Sequence, residues 1–171
     1  MRKSVFNLIT AAVLAMTFTG CSKDTEVSKT YTRVGISKLT IVNYPQVNEN
    51  GEDWDSSLSG VYPDIYFQLV KTGTEEALYT LPTSSRLEDL RVVDLPRSWA
   101  DPNGGTFYVL GDLNQSIYVD LYDYDSFDSN DFVGSVTVDF GDYTSGSSKY
   151  PSTITKTSGS VSIKLELVWL E

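Results

Sequence analysis

The chain has 171 residues, 13 of them basic and 23 acidic, for a formal net charge of −10. It has no histidine and one cysteine, Cys21, which rules out imidazole bases, imidazole or multi-thiolate metal sites and an intrachain disulfide. The acidic balance opposes a nucleic-acid partner, which needs a basic face, and opposes direct contact with an anionic membrane unless a cation bridges the two.

In chain order, Arg2 and Lys3 precede an apolar run from Val5 to Met16, and Thr17-Phe18-Thr19-Gly20 leads into Cys21. The run is short for a membrane span and has the form of a secretory signal. Residues 1–20 resemble a bacterial lipoprotein signal peptide. That resemblance implies cleavage before Cys21 and acylation of Cys21 by chains such as palmitate, which anchors the protein to a membrane. Cys21-Ser-Lys-Asp24 also resembles the acidic export tag of surface lipoproteins, so the expected location is the outer membrane of the cell envelope, facing the periplasm or the outside. Loss of Arg2 and Lys3 with the signal takes the net charge from −10 to −12.

Residues 21–31 are polar and read as the lipidated cysteine and a flexible linker. Residues 32–171 form the expected domain. Apolar side chains recur there at every second position, as in Ile65, Phe67 and Leu69, in Ile117, Val119 and Leu121, in Phe132, Val136, Val138 and Phe140, and in Val161 to Trp169. A first strand is expected near Val34–Asn43, and shorter ones at Ala77–Leu81, Asp89–Leu95 and Thr106–Leu110. Ser84–Leu90 leaves room for one helical turn. Period-two patterning between Gly-, Pro- and Asn-rich breaks predicts an all-β, eight-stranded antiparallel β-sandwich, the arrangement that buries every apolar face.

The densest chemistry is Asp123-Tyr-Asp125-Ser-Phe-Asp128-Ser-Asn-Asp131-Phe-Val-Gly134, four carboxylates in nine residues between two strands. Like charges crowded at a strand tip are relieved by a hard cation, and calcium accepts several oxygen ligands in a flexible geometry. The segment is not an EF-hand. Positions five, six and twelve of such a loop would be Phe127, Asp128 and Gly134, and strands replace the flanking helices.

The segment resembles the third calcium-binding loop of C2 domains: an alternating strand, Asp-x-Asp, five residues, Asp, an apolar pair and Gly. Asp55 to Asp64, with Gly60 between them, is similar to the family's first loop, and Asp53 is the alternative first acid. Trp99 stands where the family's middle loop often carries a tryptophan. The resemblance implies a C2-like sandwich with a Ca2+ site built from Asp55, Asp64, Asp123, Asp125 and Asp131. Asp128 has no counterpart, and Asp120 reads as an outward strand residue.

The expected function is therefore a non-enzymatic, calcium-binding C2-like module, with calcium ordering the acidic loops for structural, adhesive, phospholipid or protein contact. The alternative is a carbohydrate- or protein-binding accessory lipoprotein of a nutrient-uptake system, using Trp54, Tyr62 and Trp99. A carboxylate-pair glycosidase is disfavoured, because no acid stands alone in an apolar run that would raise its pKa.

Overall fold

The computed structural model describes residues 29–55, 62–126 and 129–171. The signal segment, Cys21, the centre of the first acidic loop and Asp128 lie outside the described residues. Among the described residues there are nine strands: β1 (Arg33–Asn43), β2 (Ile65–Lys71), β3 (Ala77–Thr80), β4 (Arg97–Ala100), β5 (Tyr108–Leu110), β6 (Ser116–Asp123), β7 (Asp131–Asp139), β8 (Thr153–Ser158) and β9 (Val161–Leu170).

They form two antiparallel sheets. One has the order β4-β1-β9-β8, with β5 also paired to β1, and the other has the order β3-β2-β6-β7. The inward side chains of both meet in one core that includes Ile36, Leu39, Ile65, Phe67, Leu69, Val119, Leu121, Ile163 and Leu165. This is the expected all-β sandwich with nine strands instead of eight.

The differences have local causes. Asp89–Leu95 is not a strand. Val92–Asp94 forms a 3-10 turn, and the strand lies two residues further on, at β4. Its partner β1 accepts Trp99 opposite Leu39, so pairing decides the location where a four-residue alternation could not. β8 has almost no sequence signal, because Thr153–Ser158 has only one buried apolar residue, Ile154. It is an edge strand, held by six paired positions on β9, and an edge needs little apolar character.

Two irregularities shift the inward parity. In β1, Val34 and Ile36 are buried, then Leu39 and Ile41, and the register against β9 slips between Ile36 and Lys38. In β7, Leu121 pairs with Gly134 while Tyr122 pairs with Phe132, which leaves Val133 as the extra residue. A bulge of this kind turns the residues beyond it to the other face. Val133 is consequently buried and Phe132 is 56% exposed, the reverse of the simple alternation. Gly134 takes φ +151°, and a β-carbon there would lie 2.6 Å from Val161 Cγ2 in the facing sheet.

The site is positioned by strand ends. β2 begins at Ile65 opposite Asp123, the end of β6, and Asp123 faces Asp131, the start of β7. These three ends form one pole of the sandwich. The other pole holds Arg33, paired with Leu170, so the chain enters β1 there and runs towards the acidic end.

Candidate metal centre at the acidic pole

Asp123 continues the inward series Ile117, Val119, Leu121, and its side chain is 0% exposed. Its Oδ1 accepts a hydrogen bond from the Asp64 backbone N–H at 2.6 Å. Its Oδ2 is buried with no hydrogen-bond partner among the described residues. Burial drives the carboxyl up from its ordinary range to about 7. The Asp64 N–H opposes this, and the charges of Asp55, Asp125 and Asp64 add to it. The expectation that no acid occupies an apolar setting is therefore incorrect. The alternation already placed Asp123 on the core side, and only the closed sandwich shows how completely it is enclosed.

The other acids differ in their engagements. Asp55 is half-buried and close enough to act electrostatically on Asp123, whereas Asp53 is exposed and lines a neighbouring cavity. Asp125 is half-buried just past β6, and its backbone N–H donates to Asn130 Oδ1 at 3.1 Å. Asp131 lies directly across the ladder from Asp123 but is exposed, beside Asn48, Glu49, Asn50, Trp54 and Phe132. Among the described residues no three acids are gathered closely enough to hold a metal ion.

Asp64 is turned to other work. Its Oδ2 accepts from Arg86 Nε at 2.9 Å and its Oδ1 from the Asp89 N–H at 2.9 Å. The Arg86 guanidinium also meets Glu88 at 3.0 Å and lies 4.7 Å from the centroid of the Tyr124 ring. The bond to Asp64 raises the Arg86 pKa above its usual value. A fixed positive charge thus stands within a pole dominated by acids.

Sequence reasoning missed Arg86, Asn130 and Tyr44. Arg86 carries a readable signal, as one of 13 basic residues and the first after Lys71. Asn130 bridges the acidic loop to β2, with its Nδ2 donating to the Tyr66 hydroxyl at 3.0 Å. Tyr44 donates to the Leu90 carbonyl, whose own N–H bonds the Pro63 carbonyl beside Asp64. Burial, then Asp123, push the Tyr44 hydroxyl up to about 12.

The aromatic residues expected to be exposed are divided. Trp54 is 7% exposed and donates its indole N–H to the Pro45 carbonyl. Trp99 is a buried β4 residue bonded to the Ser85 carbonyl, so it lies in a strand and not in a loop at the acidic pole. Tyr62 is exposed. Asp120 is partly buried and accepts from Ser135 Oγ at 2.5 Å, and burial raises its pKa.

The molecule is an all-β sandwich with one buried carboxylate, Asp123, at a pole that also carries other acids. No protein-family model matches the chain, and no curated protein matches it. Similar solved structures are C2 domains and proteins larger than this one. A C2 domain structure is 12% identical, with coverage of 82% of this chain and 100% of that one and a TM-score of 0.48. A C2 domain of plant extended synaptotagmin 1 is 10% identical, with 83% and 96% coverage and a TM-score of 0.41. Human GIVD cytosolic phospholipase A2 is 17% identical over 83% of this chain, with a TM-score of 0.46, and the chain spans only 17% of that protein's length.

Proposed function

We propose that this protein is a non-enzymatic, calcium-binding module held on the bacterial envelope through lipidated Cys21. The buried, unpartnered Oδ2 of Asp123 carries the reading. An ionised carboxylate enclosed among other acids is costly, and a hard divalent cation reverses that cost. Asp55, Asp64, Asp123, Asp125 and Asp131 would hold the ion, Asp64 only once its bonds to Arg86 and the Asp89 N–H give way. Binding would have to draw the acids closer together than they stand. Calcium supplies positive charge and a demand for several oxygen ligands. The chain supplies strand ends that bring the carboxylates to one pole, and Arg86 and Asn130 hold that pole in place.

The same pole offers a surface for contact. Val47, Tyr62 and Val93 are exposed around a cavity of about 300 Å³ that also includes Tyr44, Asp53 and Arg91. Apolar side chains beside a charge-switching cluster suit a protein or phospholipid partner. The poles oppose each other along β1, whose 11 residues extend about 35 Å. The linker from Cys21 enters the domain at the pole opposite the acids, an arrangement that suits a partner on another surface.

Calorimetry on the chain from residue 22, with calcium as titrant, tests the reading. Saturable heat and a higher melting temperature in millimolar calcium are expected. Absence of both sinks it. Palmitate labelling that is lost in Cys21→Ser tests the anchor separately.

A further inference from the structure

A second cavity opens on the long side of the sandwich, between the edge strand β3 and the edge formed by β4 and β5. Its volume is about 390 Å³, within the range of small-ligand sites. Tyr79, Trp99 and Phe107 line it, with buried Phe67 behind them. The rings form one connected group. Tyr79 and Phe107 have centroids 5.2 Å apart, Phe67 and Phe107 5.6 Å, and Phe67 and Trp99 5.2 Å. Trp99 is fixed by its bond to Ser85 at 2.7 Å. The wall is thus pre-organised, and Tyr79 and Phe107 remain half exposed.

Among the described lining residues Asp101 is the only charged one. It follows β4 directly, and Asn103 holds it by donating both its backbone N–H and its Nδ2 to Oδ1, at 2.8 and 3.2 Å. Both donors reach the same oxygen. Asp101 also raises the Tyr79 hydroxyl pKa, after burial, which places the carboxylate electrostatically near that ring. Aromatic faces carry negative potential, and a carboxylate beside them adds a full charge. A neutral apolar ligand has no use for the acid, an anion is repelled by it, and a metal ion finds a single carboxylate. The protein's net charge of −10 acts in the same direction.

We propose that this aromatic cavity binds a small organic ammonium ion, with Asp101 balancing its charge and Tyr79, Trp99 and Phe107 receiving its methyl or methylene groups. The site is separate from the acidic pole and does not depend on calcium.

The test uses the full chain in a maltoside detergent with EDTA present. The indole N–H signal of Trp99 is followed by NMR while choline chloride is added, and again with the neutral isostere 3,3-dimethylbutan-1-ol. Saturable shifts with choline are expected, and the alcohol should bind at least about tenfold more weakly, a difference of ~1.4 kcal/mol. Asp101→Asn keeps an oxygen for both Asn103 donors, so it should fold normally and lose most of the choline response. Phe107→Leu should weaken choline several-fold. A soluble short-chain phosphatidylcholine run alongside assigns the source. Tighter binding than choline identifies a lipid headgroup, weaker binding a free solute, and both uphold the ammonium site. Equal affinity for the alcohol, no saturable shift, or an unchanged choline response in both variants overturns the proposal.

Discussion

Replacing Asp123 with asparagine separates a metal ligand from a structural acid. In the calcium-free fold the Asp123 carboxyl titrates at about 7, against an ordinary value of 3.8. Between those two values the folded state holds the extra proton, so stability falls as pH rises from about 4 to 7 and then levels off. The total loss is about 4 kcal/mol. Asp123→Asn removes that charge and keeps an oxygen for the Asp64 N–H, but it leaves a buried amide N–H₂ unpaired, at about 1–3 kcal/mol. The net expectation in EDTA is a gain of about 2 kcal/mol at pH 8, a rise of about 6 °C in Tm. At pH 5 the variant should be no more stable than the parent. Calcium reverses the ranking at pH 8. The parent gains about 2.7 kcal/mol when the ion is at a hundred times its Kd, and the variant gains almost nothing. Urea melts at both pH values, with EDTA and with millimolar calcium, give all the comparisons. A variant that is destabilised at pH 8 in EDTA, or that responds to calcium as the parent does, refutes the reasoning.

Arg86→Met removes the guanidinium that occupies Asp64. The calcium-free fold should lose about 1–2 kcal/mol, and the calcium-induced rise in Tm should become larger as Asp64 is released. A smaller rise means that Arg86 supports the metal site instead of competing with it. Gly134→Ala sets a β-carbon 2.6 Å from Val161 Cγ2 at φ +151° and should cost about 2 kcal/mol in urea denaturation. Adding Val161→Ala should relieve the clash but not the backbone strain, and an unchanged midpoint for the single variant contradicts the bulge geometry. Tyr44→Phe leaves the Leu90 carbonyl without its donor and should cost about 1–2 kcal/mol. Because the Tyr44 hydroxyl stays neutral up to about 12, that loss should be the same at pH 6 and pH 9, and a pH-dependent loss refutes the assignment.

Much of the fold is legible in the chain. Ile117, Val119 and Leu121 alternate without interruption, so β6 and its inward face follow from period two alone, and Asp123 is the next inward position. The crowding of Asp123, Asp125, Asp128 and Asp131 into nine residues is plain in the chain, and a calcium ion there is what the resemblance to a C2 loop implies. Where the alternation breaks, the chain is ambiguous. Val133 and Phe132 exchange faces because a bulge moves parity by one residue, and nothing local marks it except Gly134. β8 and β4 escape a reading of the chain because an edge strand is specified by its partner's unpaired N–H and C=O groups more than by its own side chains.

The sequence by itself determined an acidic, histidine-free all-β chain with carboxylates concentrated at strand ends. Those properties depend on residue identity and on neighbours close along the chain. Tertiary structure alone decided which acids matter electrically. Asp123 became the enclosed carboxylate because β2 and the facing sheet exclude water from it. Asp64 gained a guanidinium from a residue 22 positions away, and Tyr79 and Phe107 met across two edges to make an aromatic cavity. Desolvation and charge pairing depend on distances through space, and distances along the chain do not supply them.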